Sequence, residues 1–442
     1  MASTLNSSNS SPLTSPNNRY IVSLKDRVDK NANLGFLQED GFRHLETFDL
    51  PEKNFPGLQG DIVLVELDES RLASNALSEL QQDPRVAFLE PDLEFGLDDN
   101  FQPSDPVEAE QGPHTEARNR PNDLNRRQWG LDNGSSTDID APEAWTRSIG
   151  RRENGPIIAV IDTGVDTNHP DLKDNLWVNP REIPGNGIDD DGNGVIDDVH
   201  GFDAYFQDGE PEDGNGHGTH CAGIIGATGN NRRGITGVNW QTRIMPVKIF
   251  DNGDKPKTSS SAILRGIAYA TNNGARLTSN SWGGPSYRSA VQRAFSSSRA
   301  FHLMGAGNDS QDNDEKPFYP ASYRTNNSLS VAAVDRRGNL SDFSNYGDQT
   351  VDLAAPGSSI YSTLPGGRYG TRSGTSMATP FVTGVAGLLL SAAPRLSNNQ
   401  LRSLILRGVV PKTDLQGKTT TGGVVNADRS LDLLFREVEG ES

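Results

Sequence analysis

The chain has 442 residues, enough for two or three domains with sizeable cores. Its 59 acidic against 41 basic residues give a net charge of −18, which argues against nucleic acid or an anionic membrane as partner. One cysteine excludes an internal disulfide framework, and no run of 18 apolar residues offers a membrane span.

Residues 1–18 are rich in Ser, Asn and Pro, lack the apolar core of a signal peptide, and are expected to form a disordered tail. Residues 19–96 read as a small α+β unit. Strands are predicted at 19–24 and 61–67, and a helix at 69–82 from the spacing of Leu72, Ala76, Leu77 and Leu80. The segment Pro84-Arg85-Val86-Ala87-Phe88-Leu89-Glu90-Pro91-Asp92 closes the unit. Residues 97–127 are acidic and poor in apolar side chains, and read as a linker.

From residue 128 to 442 apolar strands, such as 243–249 and 328–334, alternate with helices, such as 260–272 and 380–392. That alternation predicts an α/β domain, a mostly parallel sheet with helices on both faces. Within it, Ala159-Val160-Ile161-Asp162-Thr163-Gly164 reads as a buried strand ending in an aspartate at a glycine turn. Open α/β sheets place their sites at that edge.

Next comes an acidic loop, residues 186–198. Asp189, Asp191 and Asn193 set oxygens at alternate positions before Gly194, like the first half of an EF-hand loop. The glutamate expected later in such a loop is replaced by His200, so Asp197 or Asp198 would have to close the set. Calcium suits a hard, all-oxygen cluster of this kind; a solvated acidic turn is the plainer alternative.

Asn215-Gly216-His217-Gly218-Thr219-His220-Cys221 follows, its glycines leaving the His217 ring exposed at the start of a packed helix. Further on, Gly374-Thr375-Ser376-Met377-Ala378-Thr379-Pro380 puts a hydroxyl at the mouth of an apolar helix, residues 381–390. Backbone N–H groups and the positive end of the helix dipole stand beside it and can stabilise an oxyanion. A neutral imidazole can take the serine proton, and a buried carboxylate can hold the imidazole in its working tautomer.

Each residue alone has a bland reading: a strand-end aspartate is usually a cap, and a helix-start serine an N-cap. Together, in the order Asp162, His217, Ser376, the three motifs resemble the subtilisin-like serine proteases, or subtilases, over roughly residues 128–434. The resemblance implies a subtilisin-like three-layer α/β fold preceded by a small ferredoxin-like domain. It implies a serine endopeptidase with Ser376 as nucleophile, His217 as base, Asp162 as its orienting carboxylate and Asn308 of Gly305-Ala306-Gly307-Asn308 as oxyanion donor. His220 stays structural, and Cys221 packs beneath the triad as in the proteinase K branch.

The same resemblance makes Ser281, Trp282 and Gly283 an extended edge that pairs with substrate backbone, with Gly305 and Gly307 across the pocket. Trp282 as simple core is the alternative. Asp309 at the rim would favour a basic substrate side chain, whereas Phe318 would shorten the pocket; the sequence leaves both open. A second calcium site is implied at Asp171 and Asn230, with Gln128 as a third ligand.

Residues 19–96 would be the family's propeptide, an inhibitor and folding assistant whose tail lies in the cleft until cut within residues 97–127. Too few residues follow Ser376 for the β domain of kexin- and furin-like members, which disfavours a dibasic-specific convertase. Expected partners are protein or peptide substrates and the chain's own propeptide, with a monomeric state and a cytoplasmic or non-classically exported location. The rival readings are a catalytically silent calcium-binding module, which a fluorophosphonate would leave unlabelled, and an acyl hydrolase of non-peptide esters.

Overall fold

The computed structural model describes residues 15, 17–27, 34–68, 75–97, 120–134 and 137–440. Most of the expected tail, the first part of the helix expected at 69–82, and residues 98–119 of the expected cleavage zone lie outside that set.

The N-terminal unit is a four-stranded antiparallel sheet in the order Phe42–Thr47, Ile62–Leu67, Arg19–Leu24, Val86–Pro91. With helices Gly35–Glu39 and Ala76–Gln82 between the strands, this is the βαββαβ arrangement of ferredoxin-like domains. Successive strand residues point to opposite faces, and both faces are buried. Tyr20, Val22 and Leu24 pack with Leu37 and Leu80 under the unit's own helices. Ile21, Ile62 and Leu64 face the other way, into a core shared with the larger domain. That double burial explains why every residue from Tyr20 to Leu24 is buried, Ser23 among them.

The two domains also meet through charge. Glu90 accepts from the N–H groups of Ser289 and Ala290 at 2.8 and 3.0 Å, at the start of helix Ser289–Ser297. Asp92 accepts from Ser261 N at 2.9 Å, at the start of helix Ser260–Asn272. Two carboxylates thus satisfy unpaired N–H groups at the positive ends of two helices. Arg265 pairs with Glu46, and Asn272 donates to Asp49.

The larger domain carries a nine-stranded sheet, parallel except where Val410–Pro411 runs antiparallel to Gly423–Val424 at one edge. Ile157–Asp162 sits inside it, with Arg243–Lys248 on one side and Ala275–Asn280 on the other. The chain therefore reverses its direction of growth next to Ile157–Asp162, and Asp162 ends that strand at the switch point, where open α/β sheets form their crevice. Ile158 and Val160 join the core under helices His217–Gly226 and Thr375–Ala392, while Ala159 and Ile161 join the core on the opposite face. This is the three-layer fold expected.

The helix expected over 380–392 begins five residues earlier, at Thr375, so Ser376 lies in its first turn and Pro380 inside it. Among the described residues it alone is long and apolar enough to cross a membrane, yet 94% of it is buried within the domain.

Candidate active site

Asp162 ends its strand fully buried, and His217 opens the helix that packs beside it. His217 Nδ1 lies 2.7 Å from Asp162 Oδ1, which also accepts from Thr163 N at 2.7 Å. The approach is set by backbone. A Cβ on Gly218 would stand 2.1 Å from Gly164 O and 3.1 Å from Asp162 Cβ, so only glycine lets helix and strand end come this close.

Asp213, which sequence reasoning passed over, organises the loop before His217. Its Oδ1 accepts from Asn215 N, Gly216 N and Thr163 Oγ1, and its Oδ2 from Thr219 N and Oγ1. The Asp213-Gly214-Asn215-Gly216 sequence is an Asx-turn signal that could have revealed it. His220 is buried one turn on, its Nε2 3.2 Å from Gly370 O, and burial pushes its imidazole well below the usual range. Burial likewise pushes the Cys221 thiol well up, so the thiolate a cysteine nucleophile needs is disfavoured.

Ser376 stands alongside: Cys221 Sγ donates to Ser376 O at 3.4 Å, joining the two helix starts. The Ser376 hydroxyl rests on Ser281 O at 3.1 Å, while Ser281 Oγ donates to Ser376 O at 3.0 Å. Asn308 is oriented by its carbonyl end, which accepts from Thr375 N at 2.8 Å and from Thr375 Oγ1 at 3.1 Å. Its NH₂ end, the donor, therefore points away from Thr375.

The expected substrate edge is built around Trp282. Its indole N–H donates to Ile161 O at 2.8 Å, its ring packs on Phe295 and on Phe95, and the residue is 4% exposed, so it is part of the core. Strand Glu94–Gly96 lies against that ring, pairs antiparallel with Lys257–Ser259, and is followed by Leu97 N donating to Pro256 O at 2.9 Å. Gly305 sits against Thr375 and Thr379, and Gly307 against Phe318 and Asn345.

The acidic loop departs from expectation. Asp189 and Asp191 come together with Glu182, their ligand oxygens all within 4.8 Å of one another. Asp197 is turned instead onto the N–H groups of Asn186 and Gly187, and Asp198 is buried under Tyr269, Asn179 and Asn193. Asn193 caps Val195 N with its Oδ1. Glu182 is only 7% exposed, and its Oε2 has no hydrogen-bond partner. Glu182 Oε2 is the one orphaned oxygen of the three groups: Asp189 accepts from the N–H groups of Gly192, Asn193 and Gly194, and Asp191 Oδ2 pairs with the Arg181 guanidinium at 2.9 Å.

The second expected site does not fit one. Asp171 Oδ1 accepts from Asn231 Nδ2, and its Oδ2 from Ile235 N and Tyr369 OH. Asn230 turns away to accept from Asn122 N, and the Gln128 amide is bonded to Asn125 and Thr236. Donors, not a metal, close this carboxylate. Asn231, rather than the expected Asn230, meets Asp171, and Asn230 itself stands at a φ of 62°.

A parallel α/β sheet with this aspartate, histidine and serine at its crevice defines a class: the chain is a serine-type endopeptidase of the subtilisin fold. It belongs to the subtilase family, whose model (Peptidase_S8) matches residues 153–428. It is 39% identical to thermitase of Thermoactinomyces vulgaris over 296 residues, 66% of this chain and 93% of thermitase. It is 35% identical to an intracellular serine protease of Paenibacillus polymyxa, over 66% of this chain and 86% of that one. Against subtilisin-like protease 1 of Plasmodium vivax the identity is 33%, and the match spans 63% of this chain but 47% of that protein. Among solved structures it resembles fervidolysin from Fervidobacterium pennivorans, a keratinolytic enzyme related to subtilisin, with a TM-score of 0.69 and 25% identity. That likeness covers 94% of this chain and 61% of fervidolysin.

Proposed function

We propose that Ser376, His217 and Asp162 are the catalytic triad of an endopeptidase made as a self-inhibited precursor. The observation that carries this reading is the buried His217–Asp162 pair at 2.7 Å, beside a serine in the first turn of a helix. Ser376 Oγ swings from Ser281 O to His217 Nε2, gives up its proton, and bonds to the scissile carbonyl carbon. The oxyanion that forms is held by Asn308 Nδ2 and Ser376 N–H. His217 returns the proton to the leaving amine as the C–N bond breaks, and water then releases the acyl group by the same route. Ser281, Trp282 and Gly283 bind substrate backbone on one side of the pocket, and Gly305 and Gly307 bound the other.

Residues 19–96 are the propeptide, 97–127 the linker that is cut, and 128–442 the enzyme. Strand Glu94–Gly96 supports this, because it adds a strand to Lys257–Ser259 along the groove wall where substrate backbone would run. The likeness to fervidolysin extends over 94% of the chain, so it takes in the N-terminal unit as well.

Glu182, Asp189 and Asp191 hold calcium, which gives the unpartnered Glu182 Oε2 a cation beside the Arg181–Asp191 pair and so stiffens the loop.

The test is incubation of the purified full chain and its Ser376→Ala variant, read by intact mass and casein hydrolysis. Shortening of the first alone, with casein hydrolysis, is expected. Two chains that both stay whole, with no fluorophosphonate label on Ser376, would refute the triad.

A further inference from the structure

Two short segments flank the place where a substrate carbonyl must sit. One runs from Ser281, whose carbonyl holds the Ser376 hydroxyl; the other ends at Asn308, whose side chain is tied to Thr375. On the endopeptidase reading above, a substrate residue bonded at Ser376 sends its side chain into the pocket bounded by Gly283 on one side and Gly307 on the other. That slot already holds a ring. A Cβ on Gly283 would stand 2.3 Å from Phe318 Cε1 and 2.8 Å from its Cζ, and one on Gly307 would stand 3.1 Å from Phe318 Cγ. The ring thus reaches from one glycine backbone to the other, and Phe318 is only 5% exposed.

Phe318 is held there. Tyr319, the next residue, exchanges two backbone hydrogen bonds of 2.8 Å with Gly284, and Ser322 bonds Phe318 through both its N–H and its hydroxyl. Swinging the ring out would break contacts on the same segment that forms the wall. Gly307, at φ 108° with Asn345 Nδ2 2.4 Å from its would-be Cβ, cannot yield space either.

We propose that Phe318 fills the far end of the primary specificity slot and makes the enzyme select a short side chain, of the size of alanine or serine, at the residue whose carbonyl is cut. The inference rests on the endopeptidase reading above and adds its substrate class. It also decides between the two alternatives the sequence left open: the slot is closed by Phe318 before a long basic side chain could extend along it. A filled slot discriminates by sterics, which is a stronger rejection than the roughly 10–200-fold that one missing methylene gives in an open pocket.

The experiment uses the full chain after incubation to completed self-processing, with peptides differing only in the residue before the scissile bond: Ala, Ser, Leu, Phe or Lys. The expected result is kcat/KM for Ala and Ser at least about 100-fold above Phe and Lys. Phe318→Gly is expected to raise the ratio of Phe to Ala turnover by at least about tenfold. Equal cleavage of Phe or Lys and Ala peptides by the unaltered enzyme overturns the proposal, whether or not the variant folds. Fluorophosphonate labelling, which needs nothing in the slot, separates the two readings. Labelled Ser376 with no size preference removes Phe318 as selector and leaves the endopeptidase; no labelling and no turnover removes both.

Discussion

Pro380 has no N–H to give the carbonyl of Ser376, which lies four residues before it in the same helix, and Ser281 Oγ takes that carbonyl at 3.0 Å instead. A proline inside a helix ordinarily costs one bond of the ladder. Here the freed acceptor ties the nucleophile's own peptide unit to the segment that forms the substrate edge, with Cys221 Sγ as a second, weaker donor.

That arrangement predicts a coupling. Ser281→Ala removes the hydroxyl donor and should cost about 1–3 kcal/mol, because the carbonyl is buried. Pro380→Ala returns a helix N–H to the same carbonyl, so the double variant should lose clearly less than the sum of the two single changes. Denaturant unfolding in a Ser376→Ala background, which prevents self-digestion, measures the cycle. Simple additivity would show that the two donors do not share the acceptor.

Asn308→Leu keeps the bulk but removes the donor, and it frees Thr375 N–H as well. The expected loss is about 10²–10³ in kcat with KM little changed, the range that removal of the corresponding donor costs in subtilisin. Steady-state kinetics on a single peptide decides it; an unaltered kcat would place the oxyanion elsewhere.

The acid limb of stability should report His302. Its ring is buried on strand Phe301–Gly305, with Nδ1 2.7 Å from Thr278 Oγ1, and burial pushes its imidazole down from 6.5 to about 3. Because the folded value is the lower one, its contribution is full above pH 6.5 and is lost as pH falls from 6.5 toward 3. The loss is on the order of 5 kcal/mol. Asp123 and Asp171 act in the opposite sense: burial raises both from 3.8 to about 6, so their contribution is full below pH 3.8 and fades as pH rises through 6. His302→Gln should flatten the slope between pH 6.5 and 3 in unfolding titrations. An unchanged acid limb would mean that the ring is not held neutral.

Calcium removal should lower the melting temperature of the Ser376→Ala chain. A site held at about 100 times its dissociation constant contributes about 2.7 kcal/mol. Glu182→Gln should abolish most of the calcium-dependent shift, whereas Asp197→Asn should leave it nearly intact, since Asp197 serves the Asn186–Gly187 turn. If a chelator leaves the melting temperature where it was, the loop carries no structural metal.

How far the sequence could be read depended on where each residue's partners lie. Asp162, His217 and Ser376 were legible because each sits in a local pattern whose glycines and apolar neighbours fix its element. The start of the Ser376 helix was misread because a proline normally marks a first turn. Nothing near Pro380 in the sequence reveals that Ser281 supplies the missing donor. Glu182 was invisible for a similar reason: it reaches forward to accept from Asp190 N and Asp191 N across a loop whose own spacing suggested that Asp197 or Asp198 would close it. Asn231, not Asn230, meets Asp171, and no local pattern in the sequence separates two adjacent asparagines. The strands at 19–24 and 61–67 were readable as apolar runs, but the pairing of Glu90 with one helix start and Asp92 with another needed both domains in place.

Strand Glu94–Gly96 and the groove beside Lys257–Ser259 belong to one chain, so under the precursor reading the groove meets its blocker at a fixed local concentration of roughly millimolar order, however dilute the sample. Once the connection is cut, the same contacts obey mass action. Activity should then depend on dilution: concentrated preparations stay silent after cleavage, and the lag before turnover shortens as the cleaved protein is diluted.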